Sequence, residues 1–185
     1  MKTINNELIR ALKPCYDPSK KGIPENETLP VLEWVSKYRG AVPDKDIIWL
    51  LCHKEFMPEK ELRLFAVWCA REALNLVDNP DPRSIEACNV AERYANGEAT
   101  KEELDSVRAD AYAARITDYV TAYAAASAAD YAAACGDIYV NAYYAIDASI
   151  AAYYTTTSVV CAAPLDKLLT YFIDQRQQPL FTNSY

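Results

Sequence analysis

The stretch from residue 106 to residue 163 constrains the fold most, because alanine and tyrosine together make up about half of it. Alanine has the highest helix propensity of all residues, since it loses no side-chain entropy in a helix. Tyrosine supplies the apolar bulk that alanine lacks, and its hydroxyl needs water or a hydrogen-bond partner. We therefore expect helices here, with alanine-lined faces that let neighbouring helices approach closely.

Local signals predict where these helices begin and end. Thr100 and Glu103 match a capping box, in which each side chain accepts a hydrogen bond from the other residue's backbone N–H. Gly136 is the natural break downstream, because glycine has a low helix propensity. The expected helices of this part cover residues 101–135, 137–161 and 165–176.

The first half of the chain predicts shorter helices separated by turns. Apolar residues recur there at helical spacing, and proline, glycine and asparagine mark the breaks. The run of residues 47–52 is apolar nearly all round, so its helix is expected to be largely buried. Asp81 is the expected N-cap of the helix that starts at Pro82. The expected helices of this half cover residues 3–13, 29–39, 43–52, 58–77 and 82–96.

Together these features predict an all-α fold. We expect a single-domain multi-helix bundle of about seven helices, with two long Ala/Tyr-rich helices in its second half. Residues 1–97 would form the half with short helices, residues 98–178 the half with long helices, and residues 179–185 a loosely held tail. A chain of 185 residues is long enough for one domain with a substantial core and is marginal for two.

Charge, cysteine usage and hydropathy indicate the cellular compartment of the protein and the classes of partner it can bind. The formal net charge is −7 and no basic patch is visible, so nucleic-acid binding is not expected. The first residues lack an apolar leader, and the longest uncharged run, residues 148–165, is too polar to span a membrane. The six cysteines are scattered, with no C-x-x-C pair, and are expected to be buried thiols in a reducing compartment. We expect a cytoplasmic protein that does not bind membranes.

Motifs that carry catalysis or bind cofactors are missing from the sequence. The four glycines are isolated, so neither a phosphate-binding loop nor a dinucleotide fingerprint can form. His53 is the sole histidine, which leaves a zinc site without the usual Cys/His spacing. We expect no catalytic residue, no metal and no cofactor, and therefore no enzyme. One alternative stays open, in which carboxylates and tyrosines between the long helices line a pocket that binds a ligand or a metal ion.

Acidic and aromatic side chains of the second half are the candidates for contact with a partner. Residues 109–185 contain seven acidic but only three basic residues. These acids either keep an alanine-rich surface solvated or offer a negative surface to a basic partner. Tyrosine is enriched in interface hot spots, although most tyrosines are expected to pack in the core with the hydroxyl at its rim. The candidate partner-binding residues are Asp118, Tyr119, Tyr123, Asp130, Tyr131, Asp137, Tyr139, Tyr144 and Asp147.

Several sequence blocks, taken in order, resemble bacterial and phage immunity proteins of the Imm-like type. They are LEW at residues 32–34, IWLL at 48–51, LRLFAVWCAR at 62–71, DPRS at 81–84 and ANGEATKEEL at 95–104, followed by an alanine-rich helical tail. The resemblance covers roughly residues 30–135. It implies a protein that binds and neutralises a toxin or effector, and it transfers no catalytic residue.

The leading interpretation is a non-enzymatic helical protein that binds another protein and blocks it. An alternative with the same kind of contact is a phage-encoded inhibitor of a host defence system, which would act by acidic mimicry. A further alternative is a homo-oligomer that uses the alanine faces as its seam. We therefore expect the partner to be a protein: a toxin, an effector, a host defence protein or a second copy of the chain.

Overall fold

The computed structural model describes residues 2–14, 16–116, 120–134, 136–156 and 163–177. Within these ranges the chain is mostly helical, which confirms the expected fold class, although it forms nine α-helices where about seven were expected. The helices are α1 Asn6–Ala11, α2 Val31–Tyr38, α3 Asp44–Leu51, α4 Glu59–Leu74, α5 Pro82–Ala95, α6 Lys101–Ala114, α7 Val120–Ala132, α8 Ile138–Thr156 and α9 Ala163–Gln177. A 3-10 helix covers Pro18–Lys21, and two short strands, β1 Thr3–Asn5 and β2 Thr28–Pro30, pair in antiparallel fashion.

Backbone contacts divide the chain into two compact units. The first unit combines Met1–Leu50 with Ala162–Tyr185, and the second unit is the continuous segment Leu51–Cys161. The first unit therefore contains both strands, α1, α2, α9 and nearly all of α3, whereas the second contains α4 to α8. The single domain expected from the sequence stays a prediction, and the tail expected at residues 179–185 lies outside the described residues.

The N-terminal segment is a strand followed by a helix, which corrects the single helix expected over residues 3–13. Ile4 pairs with Leu29 of β2 and is completely buried. Helix α1 begins only after Asn5, whose side-chain oxygen accepts a hydrogen bond of 2.8 Å from the backbone N–H of Leu8. Asparagine favours the N-cap position, and β-branched residues favour strands, so the local chemistry agrees with this later start.

Strand pairing also shifts the next expected helix. Helix α2 begins at Val31, because residues 28–30 form β2, and it buries Trp34 and Val35. It ends before Gly40, whose φ of 100° lies in the left-handed region that favours glycine. The helix that follows, α3, is largely buried along its apolar run, which confirms the expectation for residues 47–52.

Alanine seams hold the second unit together. Helix α4 packs against α5, α7 and α8, and α7 also packs against α6 and α8. Ala66, Ala70 and Ala73 are completely buried and recur along one face of α4. Most alanines of α7, and Ala142, Ala145 and Ala152 of α8, are buried as well, so small side chains line much of these helix contacts. The expectation of alanine-lined faces is confirmed.

The prediction of one long helix over residues 101–135 is wrong, because α6 and α7 replace it. The capping box that starts α6 is present as predicted, with Thr100 and Glu103 each bonded to the other's backbone N–H. Helix α6 then ends at Ala114. Neither glycine nor proline marks this end, so local sequence signals do not predict it.

The two C-terminal helices lie close to their expected positions. Helix α8 begins at Ile138, one residue after the expected start, and its expected end at residue 161 lies outside the described residues. Helix α9 covers the expected last helix and extends it at both ends. None of the described helices combines the length and apolarity that crossing a membrane requires.

Candidate functional site

A buried ion-pair cluster joins α6 to α7 in the second unit. Asp130 of α7 is only 2 % exposed. Its Oδ1 accepts a hydrogen bond of 3.3 Å from Arg108 Nε, and its Oδ2 accepts one of 3.1 Å from Arg115 Nη1. Arg108 lies in α6, and Arg115, seven residues later, is the C-cap residue of that helix, so both lie on one face, two turns apart. Both carboxylate oxygens are therefore occupied, as a buried charge requires.

Three tyrosine rings surround the guanidinium group of Arg115. Its central carbon lies 5.1 Å from the ring centroid of Tyr112, 5.2 Å from that of Tyr123 and 5.8 Å from that of Tyr131. Its Nη2 also donates a hydrogen bond of 2.8 Å to the Tyr123 hydroxyl. Cation–π contacts and this hydrogen bond therefore fix Arg115 and orient three rings from two helices.

This cluster changes the acidity of its own members. The hydrogen bond from Arg115, together with its positive charge, lowers the pKa of Tyr123 below its ordinary value. Burial disfavours the charged form of Arg115, but hydrogen bonds and charges from Tyr123 and Asp130 outweigh this and raise its pKa. Arg115 is therefore a fixed cation within the cluster.

The row of aromatic rings continues onto α8. The ring centroid of Tyr131 lies 5.3 Å from that of Tyr144, which in turn lies 6.0 Å from that of Tyr143. Tyr112, Tyr123 and Tyr144 remain 63 %, 45 % and 46 % exposed. We call the exposed surface formed by Tyr112, Arg115, Tyr123, Tyr131 and Tyr144 the aromatic surface. It spans α6, α7 and α8.

Exposed side chains of α8 extend the aromatic surface along one helix face. Asp137, Val140, Tyr144, Asp147 and Ala151 are all exposed and are spaced three or four residues apart. Residues at this spacing are neighbours on a helix surface. Two carboxylates therefore flank Tyr144 on this face, one towards each end of α8.

Five of the predicted site residues lie on or beside the aromatic surface. Tyr123, Tyr131 and Tyr144 belong to the aromatic surface, and Asp137 and Asp147 are exposed beside it. Asp137 also accepts a hydrogen bond of 3.0 Å from the backbone N–H of Tyr139, at the start of α8.

The remaining predicted site residues are not part of the exposed surface. Tyr139 is half-buried, and burial, followed by the charges of Glu59 and Asp137, raises its pKa. Asp130 is buried under Arg108 and Arg115, so it supports the surface from below. Asp118 and Tyr119 lie outside the described residues.

Sequence reasoning missed Tyr112, Arg115 and Ile116. The spacing of Arg108, Tyr112 and Arg115 places all three on one face of a helix, and this pattern could have indicated a cation–aromatic cluster. Ile116 is the most exposed large apolar residue among those the structure describes, at 89 %. Isolated exposed apolar residues give no sequence signal, because their burial depends on the tertiary fold.

A cavity of about 590 Å³ lies beside the α6–α7 connection. Ala122, Ala125 and Ala126 of α7 line its inner side, and the exposed residues Ile85 and Ile116 lie at its mouth. The connection between α4 and α5, including Asp78, completes the wall. This size falls within the range of ligand-binding pockets.

Acidic, histidine and cysteine side chains do not cluster as metal ligands in the part of the chain that the structure covers. No three His, Cys, Asp or Glu side chains among these residues are placed to hold a metal ion together. Cys52, Cys69 and Cys88 are buried thiols. Burial raises the pKa of Cys52 and raises that of Cys88 to about 12, so both remain protonated and are poor nucleophiles.

Comparison with known proteins gives no match. No family model, no curated protein and no solved structure matches this chain. The resemblance to immunity proteins therefore stays a prediction from the sequence, and the geometry of the aromatic surface carries the functional argument.

Proposed function

We propose that this chain is a protein-binding module that contacts its partner through the aromatic surface. The observation that carries the proposal is the exposed row of tyrosine rings fixed around Arg115. Tyrosine and arginine are the residues most enriched in binding hot spots. A ring that is already held in place loses little conformational entropy when a partner covers it.

A surface that only has to stay solvated is a weaker explanation for the exposed tyrosines. Tyr112, Tyr123 and Tyr144 expose about half or more of their surface, and Ile116 is almost fully exposed. Single exposed apolar residues are common, but contiguous ones mark interaction sites. Because ring contacts link α6, α7 and α8, the exposed tyrosines form a contiguous set.

The charges near the aromatic surface favour a basic partner. Asp137 and Asp147 are exposed on either side of Tyr144, and the formal net charge of the chain is −7. Complementary charge accelerates association and excludes acidic partners. A toxin or effector that is neutralised by binding is the partner implied by the resemblance, and a host defence protein is the alternative.

A carboxylate-lined ligand or metal site has less support. Both oxygens of Asp130 are bonded to arginines, so this carboxylate is not available to a bound ion. Non-enzymatic binding is therefore the function that we propose.

The test compares capture of a partner by the wild type and by a surface variant. Tyr112→Ser combined with Tyr144→Ser removes two exposed rings, and Ile173→Ser removes an exposed apolar side chain of α9 as the matched control. Tagged proteins are incubated with a lysate of the cell that encodes the chain, and the captured partner is then purified and titrated by calorimetry. We expect a stoichiometric partner whose affinity falls at least about 30-fold for the double variant, since a hot-spot residue contributes about 2 kcal/mol or more.

The control separates the aromatic surface from general stickiness. Ile173→Ser should bind the partner with the affinity of the wild type. Equal binding by the double variant and the wild type, or the recovery of no stoichiometric protein, would rule out the proposed function.

A further inference from the structure

The cavity beside the α6–α7 connection and the aromatic surface include residues that are adjacent in the chain. Ile116 at its mouth directly follows Arg115 in the chain, and Ala122 in its wall directly precedes Tyr123. A partner that covers Tyr112 and Tyr123 therefore lies next to the opening. The cavity and the surface both belong to the second unit, so their positions relative to each other are set by α6 and α7.

The wall of the cavity suits an apolar group. Ala125 and Ala126 are buried beneath it, while Ile85 and Ile116 leave large apolar surfaces open at its mouth. An occupant that filled the space between them would remove these surfaces from water, which favours binding roughly in proportion to the apolar area covered. The small side chains of α7 are what leave this space free.

The charges around the mouth are mainly negative. Asp78 is exposed and forms no ion pair with any described residue. Asp81 caps α5 and pairs with Arg83 at 2.6 Å. Both carboxylates line the cavity, and the carboxylate of Asp78 is the one without a paired cation among the described residues.

We infer that the partner inserts one apolar side chain into this cavity and places a basic residue of the same segment beside Asp78. The inference rests on the proposed function and names the anchor that the partner would use. Interface energy is concentrated where an anchor side chain fills a pocket surrounded by fixed aromatic residues. The excess of carboxylates at the mouth selects a basic segment over an acidic one.

The test fills the cavity while leaving the tyrosines in place. Ala122→Trp introduces a large ring into the wall, and Ala11→Trp places the same ring at an exposed position in the first unit as the matched control. The purified partner identified above is titrated against each variant. We expect the affinity to fall at least about tenfold for Ala122→Trp and to remain unchanged for Ala11→Trp.

Two further variants keep the inference testable if Ala122→Trp does not fold. Ile116→Ser alters a side chain that is almost wholly exposed, and Asp78→Lys reverses the charge at the mouth. Both should weaken binding by about three- to tenfold, whereas Asp174→Lys on the exposed side of α9 should not. Wild-type affinity in all of the cavity variants would overturn the inference.

The outcomes distinguish this inference from the proposed function. If the tyrosine double variant loses binding and the cavity variants bind fully, the proposed function is supported and the inferred anchor is excluded. If the double variant binds fully, the proposed function is excluded. If no partner is recovered, the proposed function and the inferred anchor are both excluded. Native mass spectrometry tests whether another molecule occupies the cavity. A small molecule or a second copy of the chain that is bound to the wild type and lost in Ala122→Trp would also overturn the inference.

Discussion

Two buried serines differ in whether their hydroxyl groups are hydrogen-bonded. Ser149 Oγ donates a hydrogen bond of 2.7 Å to the carbonyl oxygen of Ile146. Ser84 Oγ, which is equally buried, has no hydrogen-bond partner among the described residues. A hydrogen bond contributes about 1 kcal/mol to stability, whereas a buried polar group without a partner costs about 1–3 kcal/mol.

The two alanine substitutions should therefore change stability in opposite directions. We expect Ser84→Ala to raise the free energy of unfolding by up to about 1 kcal/mol and Ser149→Ala to lower it by about 1 kcal/mol. Both sites are helical, so the gain in helix propensity is common to both and cancels in the comparison. Urea denaturation followed by circular dichroism measures the difference. An equal change in both variants would contradict this account.

The acidity of Tyr123 reports whether Arg115 is fixed in solution as it is in the structure. A nearby cation favours the phenolate, so the pKa of Tyr123 lies below its ordinary value. Arg115→Met removes the cation and the hydrogen bond, and we expect the pKa of Tyr123 to rise. Ultraviolet or NMR titration of the phenol measures the shift. Arg83→Met, which removes a guanidinium group paired with Asp81, should leave it unchanged.

At the scale of the helix, one buried arginine completes the end of α7. Arg63 of α4 is buried, and its Nη1 donates hydrogen bonds of 3.0 Å to the carbonyl oxygens of both Ala132 and Ala134. Its guanidinium carbon also lies 5.1 Å from the ring centroid of Tyr94 in α5. The last carbonyls of a helix have no partner within the helix, and they favour a positive charge. Arg63 therefore joins three helices at one point.

Replacing Arg63 should be costly. We expect Arg63→Met to lower the free energy of unfolding by about 3 kcal/mol, since each hydrogen bond from a charged group contributes about 1.5–3 kcal/mol and methionine restores part of the packing. Chemical denaturation gives the value. The exposed Arg93, which bonds the carbonyl oxygen of Glu98 and pairs with Glu103, supplies the control, because Arg93→Met should cost less than about 1 kcal/mol. Similar decreases in the free energy of unfolding for the two variants would show that the burial of Arg63 adds nothing to stability.

The helix boundaries that the sequence predicts are those set by neighbouring residues. The capping box of Thr100 and Glu103 and the N-cap Asp81 each act within three residues, so local patterns suffice to find them. The boundaries that were missed depend on distant residues. Strand β1 forms because Ile4 meets Leu29, and the end of α6 lies where Arg115 reaches Asp130, fifteen residues further on. The spacing of residues within one element does not predict such contacts.

At the scale of the whole molecule, the candidate site was predictable only in part. The sequence indicated Tyr123, Tyr131 and Tyr144 because aromatic residues among alanines stand out in composition and spacing. It did not indicate that Asp130 is buried, because an aspartate looks the same whether it faces water or two arginines. The aromatic surface arises from three helices packed side by side, so only the tertiary fold brings its members together.

The division of the chain into two units gives a further prediction. The second unit is one continuous segment with its own buried alanine seams, so residues 51–161 expressed alone should keep their helical circular dichroism and unfold cooperatively. Residues 1–50 alone lack α9 and should not show a cooperative transition. Thermal and urea unfolding of both fragments tests this. A fragment 51–161 without a cooperative transition would contradict it.

The first unit draws its elements from both ends of the chain. Arg39, just after α2, bonds Asp166 of α9 at 2.6 Å, and these two residues are 127 positions apart. A ribosome synthesises α2 before the second unit and α9 after it. We therefore expect the second unit to fold before the first unit is complete, while the face of α2 that contacts α9 stays exposed to chaperones until α9 has been synthesised.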